Sequence, residues 1–228
     1  MAKAGEITTG RRIRGLDAEE RRALRREQLL DAALELVATK GYASTSIEQI
    51  CQTAYVATRS FYELFDGKEG CYLALLQRIA QDIGDRMVAT VDEAPDDDPA
   101  EAIRGLLAAF AHALVDDPRV VRAAFGEGAG ISPAIERQRR ANRRWAADFL
   151  VSVWERFGLA QRRPDDAHVV AVGVIGGMFD LVVDWLHDDD EPTGTGAPEG
   201  GNSDVDALVR DLTAFYELVQ DGMVSRSA

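Results

Sequence analysis

The sequence predicts an all-α protein of about nine helices, and three observations predict it. Apolar residues recur at spacings of three and four along most of the chain, the period of a helix with one buried face. Helix starts are marked by Ser, Thr or Asp with Glu three residues on, or by Pro in the first turn. No stretch alternates apolar with polar residues as a half-buried strand does, and no internal repeat is evident. The 228 residues suffice for one large or two small domains with a sizeable core.

Residues 1–16 read as a flexible basic arm carrying Lys3, Arg11, Arg12 and Arg14. Asp17-Ala18-Glu19-Glu20 is a capping box that starts the first helix, which runs to about Thr39 and stops at Gly41. Leu30, Ala33, Leu34 and Val37 are its inward stripe. Thr45-Ser46-Ile47-Glu48 reads as a second capping box, with the Thr45 hydroxyl accepting from the amide three residues on. Ile47 and Ile50 give the second helix an apolar edge with Cys51 beside it, and Thr53-Ala54-Tyr55-Val56 interrupts the pattern. A third helix is expected from about Thr58 to Phe65, Phe61 and Phe65 turning inward together. A short helix, a tight turn and a helix with a polar start make a helix-turn-helix, whose second helix is shaped to enter the major groove of DNA. Taken alone, the segment fits equally a helical hairpin that only packs.

A fourth helix runs from Lys68 to about Val91, and Pro95-Asp96-Asp97-Asp98-Pro99 is a loop. The fifth extends to Val115 with Ile103, Leu107, Phe110 and Leu114 on one face, and Asp117-Pro118 starts a short sixth that ends at Phe125. After a glycine-rich break at 126–130, Ser132-Pro133 opens a seventh helix to about Phe157. The eighth spans about Pro164 to His187, and 188–202 reads as a mobile loop rich in Asp, Gly, Pro and Thr. The ninth starts at Ser203 and carries Val205, Leu208, Leu212, Phe215 and Val219 at helical spacing. The longest apolar run, Ala167 to Phe179, is followed by Asp180 and Asp184, and it reads as too short to span a bilayer. No membrane partner is expected.

Lys40-Gly41-Tyr42, Thr45-Ser46-Ile47, Ile50, Val56, Phe61-Tyr62, Phe65 and Lys68-Glu69 resemble, at fixed spacing, the N-terminal domain of the TetR family of transcriptional regulators. The likeness covers roughly residues 24 to 75. Two positions depart from it. Tyr55 stands where the turn usually has glycine, and Ala57 where a Ser or Thr usually caps the recognition helix. The resemblance implies an N-terminal three-helix DNA-binding domain over 17–67 and a C-terminal helical effector-binding and dimerisation domain over 68–221, with 222–228 as a tail. It further implies a homodimeric repressor, released by a small-molecule effector from a palindromic double-stranded DNA operator. Its eighth and ninth helices pair with their symmetry mates as a four-helix bundle. Gly173, Gly176 and Gly177 suit close approach there, as does the stripe Leu208, Leu212, Phe215 and Val219.

The overall charge of −13 is carried entirely by residues 71–228, because residues 1–70 hold 11 basic against 11 acidic side chains. An acidic body repels DNA and leaves the neutral end to meet it, so indiscriminate coating of nucleic acid is excluded. Two cysteines, Cys51 and Cys71, sit at core positions in no metal-ligand spacing and fit a reducing cytoplasm. His112, His168 and His187 lie far apart on separate helices, so no metal or cofactor site is expected. Gly126-Glu127-Gly128-Ala129-Gly130 follows a helix rather than a strand and lacks a following Lys-Ser/Thr, so a linker is expected rather than a phosphate loop. No cluster of nucleophile and base favours an enzyme. An all-α enzyme or binding module that keeps the helix-turn-helix only as scaffold is the alternative class.

Thr58, Arg59 and Ser60 occupy the first turn of the third helix, where side chains reach base edges, and Arg59 has the fork geometry for guanine. Thr45, Tyr62 and Lys68, with Ser46 beside them, match positions that the resemblance assigns to the phosphate backbone. The resemblance also places an effector inside the C-terminal domain, among the fourth to eighth helices. Phe110, Phe125, Trp145, Phe149 and Met178 are the large residues expected to line the site, with His112, Asn142 and Asp180 as polar contacts. These aromatics are also what a plain core would contain. A hydrophobic or aromatic small molecule is expected. An anionic one at Arg137, Arg139, Arg140, Arg143 and Arg144 is the alternative, and the plainer account of that cluster is a solvated helix face.

Overall fold

The computed structural model describes residues 17–126, 131–159, 164–188 and 205–225. The expected basic arm, most of the glycine-rich break and the loop before the ninth helix lie outside them. Among the described residues there are nine helices and no strand: α1 (Ala18–Lys40), α2 (Ile47–Thr53), α3 (Thr58–Tyr62), α4 (Gly67–Glu93), α5 (Pro99–Val115), α6 (Pro118–Phe125), α7 (Pro133–Arg156), α8 (Pro164–Asp188) and α9 (Val205–Ser225). Packing divides the chain into two compact units at Tyr72–Leu73, inside α4.

In the first unit, α1 opens on the expected box. The Asp17 carboxylate accepts from the Glu19 and Glu20 amides at 2.9 and 2.8 Å, and the Asp17 amide donates to Glu20 Oε2 at 2.6 Å. Leu29, Leu30, Ala33, Leu34 and Val37 are buried, and α1 packs on α2 and α3. The second capping box sits one residue later than the sequence suggested. Ser46 is the cap, accepting from the Gln49 amide at 3.2 Å, while the Ser46 amide donates to Gln49 Oε1 at 2.9 Å. Thr45 cannot serve, because its side chain is only 3 % exposed and its hydroxyl donates to the Gly41 carbonyl at 2.8 Å. A buried hydroxyl needs such a partner, and the end of α1 supplies it. Helix α3 is shorter than expected and stops at Tyr62, with the Glu63 carbonyl accepting from Arg22 at 3.2 Å. Phe61 and Phe65 are buried as read, their rings 5.4 Å apart.

In the second unit, Asp98-Pro99, Asp117-Pro118 and Ser132-Pro133 cap α5, α6 and α7, each cap side chain accepting an amide of the first turn. Helix α7 packs on α8, α5 on α9 and α6, and α8 also on α9 and α6. The last turn of α4 is held from α7. Arg156 donates to the Val91 carbonyl at 2.6 Å and pairs with Asp96 at 2.8 Å, which satisfies a carbonyl that the helix end leaves free. Two expectations need correction. The eighth helix is long and apolar enough over Asp166–Leu186 to cross a membrane by length and composition, so the apolar stretch is not the short run that was read. Its Ala171, Val174, Met178, Val182 and Leu186 are nevertheless buried in the helical core, as the central helix of a packed domain buries them. The stripe on α9 splits as well. Leu208 and Leu212 are buried within the chain itself and only Phe215 and Val219 remain partly exposed, so this stripe is mainly core rather than a free face. Gly177 does serve close approach, but within the chain: a Cβ there would lie 2.5 Å from the Phe215 ring of α9.

One buried polar bond ties α7 to α9. Trp154 Nε1 donates to the Tyr216 hydroxyl at 2.6 Å. Burial pushes the Tyr216 phenol up to about 12, against the smaller opposing effect of that bond. The neutral phenol is the form the fold keeps. Its stability contribution is therefore complete below the ordinary value of about 10 and lost as pH rises toward 12. Urea unfolding should show stability falling between pH 10 and 12, with a smaller fall in Tyr216→Phe. That variant should cost about 1 kcal/mol at neutral pH. An identical pH profile in the two proteins would show that Tyr216 does not stay neutral in the fold.

Candidate functional site

The turn between α2 and α3 is built on a left-handed residue. Tyr55 has φ 54° and is 97 % exposed, its amide donating to the Gln52 carbonyl at 3.2 Å while the Val56 amide donates to Cys51 at 3.0 Å. A non-glycine residue is strained there, as the missing glycine led one to expect. Ala57 stands at the cap of α3 and offers no side-chain bond. Beyond it Thr58, Arg59 and Tyr62 are exposed and Ser60 is half-buried. Arg59 meets only Glu63, at 3.2 Å on the surface, a pair that holds it weakly. Thr58 also bonds the buried Cys51 thiol, whose pKa burial raises against that bond. Cys51 and Cys71 are both buried in the core, and neither is in a disulfide.

The residues read as phosphate contacts fare differently. Tyr62 is exposed, Ser46 is half-buried and engaged as a cap, and Thr45 faces inward. Lys68 donates to the Tyr42 carbonyl at 2.9 Å and lies 4.2 Å from the centre of the Tyr42 ring, fastening the end of α1 to the start of α4. Gly67, just before it, has φ 81° with open space around it.

The second unit holds an open-sided cavity of about 390 Å³ bounded by α4, α5, α6, α7 and α8. Seven of the eight residues read as effector contacts line it: Phe110, Phe125, Asn142, Trp145, Phe149, Met178 and Asp180. His112 does not. It points to the surface, where its Nδ1 lies 2.9 Å from Asp116 Oδ1. That bond, with Arg86 at 3.3 Å, holds the Asp116 carboxyl below the ordinary range. His112 lies two residues beyond Phe110, and a step of two carries a side chain most of the way to the other side of a helix. Sequence reading missed the α4 wall of Leu76, Ile79, Ile83 and Met87, and the ring of Phe179, which lies 5.2 Å from that of Phe125. The three-four spacing on α4 was the available signal. Arg139 and Arg143 of the arginine cluster reach the cavity edge beside Glu136, whereas Arg137, Arg140 and Arg144 do not line it. Among the described residues, no group of three or more His, Cys, Asp and Glu could hold a metal ion.

A profile of the bacterial regulatory proteins of the tetR family matches residues 29–75, which contain this helix-turn-helix. The chain belongs to the TetR family of transcriptional regulators. As a member of that family it is a DNA-binding regulator, and the relatives found are regulators rather than enzymes. The TetR-family chain is 29% identical over 168 residues to the HTH-type transcriptional activator FasR of Mycolicibacterium smegmatis, covering 72% of this chain and 74% of the relative. It is 28% identical over 89 residues to the regulator BetI of Brucella canis, covering 39% of this chain and 44% of BetI. In fold it is similar to the fatty acid degradation regulator FadR of Bacillus halodurans, with TM-score 0.69 and 19% identity over 87% of this chain and 95% of that one. It is also similar to FadR of Bacillus subtilis in complex with stearoyl-CoA, with TM-score 0.67 and 19% identity over 86% and 98%.

The aromatic wall of the cavity rests on one glycine. Trp145 and Phe149 are stacked, with rings 5.4 Å apart and 4° from parallel, and Trp145 is 46 % exposed while also lining the cavity. The edge of its indole lies on Gly84 in the middle of α4, where a Cβ would sit 2.9 Å from Cη2. Gly84→Ala should therefore displace the ring and move tryptophan emission to longer wavelength. The same change in a Trp145→Phe background should leave emission unaltered. Equal spectra for wild type and Gly84→Ala would remove this contact.

Proposed function

We propose that this regulator acts in the cytoplasm as a homodimer that represses transcription from a palindromic operator and is released by an effector bound in the apolar cavity. What carries the reading is the pairing in one chain of an exposed recognition-helix start, Thr58-Arg59-Ser60, with a cavity whose walls are mostly aliphatic and aromatic. In this reading residues 17–67 bind DNA and residues 68–221 bind the effector and the second protomer. Thr58, Arg59 and Ser60 read bases, and Tyr62, Ser46 and Lys68 set register on the backbone. For Lys68 that means positioning through Tyr42. Dimerisation is supported by apolar side chains left uncovered on the last two helices: Val169 at 72 % exposed and Val172 on α8, and Leu218 at 74 % on α9. Open space above Gly173 and Gly176 would let a second backbone come close. Burial of α8 between two protomers also accounts for its apolar length without a membrane.

An apolar effector is supported by the cavity walls and by the stearoyl-CoA held by the similar FadR fold, so an acyl chain is the first tail to try. Linkage sets the mechanism. The effector releases DNA only if it binds the DNA-incompetent state more tightly, and α4 carries both Lys68 and the cavity residues Leu76 to Met87. The FasR relative is named an activator, which favours a second reading in which the same complex promotes transcription. A reporter driven by the chain's own upstream region, measured with and without the regulator, separates the two signs.

Arg59→Ala should cost about 1–3 kcal/mol in operator affinity and relax preference at one base pair of each half-site. Gel shifts on a set of single-position operator variants measure this, and sedimentation of the same preparation should give a dimer at micromolar concentration. Wild-type discrimination by Arg59→Ala would end the base-reading role, and a stable monomer would end the twofold model. Phe149→Ala should alter effector-induced release while leaving operator affinity nearly intact. If that variant loses folding and DNA binding together and whatever folds responds normally, Phe149 is core and the effector binds elsewhere.

A further inference from the structure

The apolar cavity has one polar end. Five of its lining side chains are polar, Glu136, Arg139, Asn142, Arg143 and Asp180, and the first four stand on the first half of α7. Helix α7 ends at Arg156, α8 begins at Pro164, and Asp148 meets His168 at 3.2 Å, so the two packed helices run antiparallel. Asp180, further along α8 than His168, therefore comes to the level of the α7 start. The lining residues of α4 and α5 are all apolar. Charge at the polar end cancels, with Glu136 and Asp180 against Arg139 and Arg143. No net field there favours an anion over a neutral group.

Glu136 is the group at this end that calls for a ligand. It is half-buried, and its Oε1 is closed off from solvent without a hydrogen bond. Its ion pair with Arg139 Nη1 spans 3.8 Å, beyond hydrogen-bond reach. The amides nearby are engaged with one another. Asn142 Oδ1 accepts from Gln138 Nε2 at 2.8 Å, and Gln138 Oε1 accepts from Gln77 Nε2 of α4 at 3.1 Å. A carboxylate withdrawn from water without a donor is costly. With 24 % of its side chain still open and the residue on the cavity wall, a donor brought by a ligand would meet a charged acceptor, the stronger kind of hydrogen bond. We propose that Glu136 is a specificity-determining residue of the cavity that accepts from an uncharged donor, so that the effector is a neutral amphiphile ending in a hydroxyl or a carboxamide. The inference rests on the reading of the cavity as the effector site.

The test titrates the full-length protein by calorimetry with four probes: decan-1-ol, decanamide, 1-methoxydecane and decanoate. The first two carry an uncharged donor, the ether carries only an acceptor, and decanoate carries a charge. Wild type should bind the better donor at least about tenfold more tightly than the ether or decanoate, the size expected of a bond to a charged group. A wall without a partner would instead prefer the ether, because a hydroxyl buried unsatisfied is unfavourable. Glu136→Ala should lose the donor preference and leave ether binding unchanged. Alanine favours the helix, and the melting temperature checks that the variant folds. The wild-type comparison decides by itself should it not fold, and the tighter donor tells hydroxyl from carboxamide. Ether or decanoate binding as tightly as both donors overturns the proposal, and so does a donor preference that survives Glu136→Ala. If wild type binds none of the four, the effector reading falls along with it.

Discussion

Helix α8 is apolar around nearly its whole circumference, and the second unit is arranged as a solution to covering it. One side, Ala171, Val174, Met178 and Val182, is buried where α7 and α9 pack. Another, Ile175, Met178, Phe179 and Val183, faces the cavity. A third, Val169 and Val172, is left to solvent in the single chain. The three faces are core, cavity wall and exposed apolar surface. A helix with one apolar stripe could supply only the first of these.

The first unit depends on a different constraint, the satisfaction of helix ends over a very short span. Gly41 ends α1, its carbonyl takes the Thr45 hydroxyl, Ser46 caps α2 with Gln49, and Tyr55 adopts a left-handed backbone so that α3 can start at Thr58. Each step fixes where the next helix begins. The uncapped start of α3 leaves the amides of its first turn without a side-chain acceptor, at the end of the helix that a phosphate would approach.

Most of the helices were legible because their starts carry strong local signals. Asp17, Asp117 and Ser132 all cap as read, the last two followed by proline, and Asp98, read as loop, caps α5 in the same way. The failures arose where two local solutions were nearly equivalent and tertiary burial chose between them. Thr45 and Ser46 are adjacent hydroxyls with Glu48 and Gln49 each three residues on, and only the burial of Thr45 decides for Ser46. Periodicity located the apolar face of α9 but could not say whether it faces its own chain or a partner; Leu208 and Leu212 proved internal. The large aromatics of the cavity were legible because they stand on the right helices, while His112 was misplaced by helical angle alone. The α4 wall was hidden because Leu76, Ile79, Ile83 and Met87 look like any core stripe.

The two ends of α4 are held by different means. At its C-terminal end Arg156 clips the Val91 carbonyl and Asp96 together, so the last turn is cross-braced to a neighbouring helix. At its N-terminal end the chain enters through Gly67, a left-handed glycine with open space around it, whose backbone can rotate at little steric cost. The turn of chain direction is thus made where α4 begins, and from Lys68 onward the helix is tied back by the Tyr42 carbonyl.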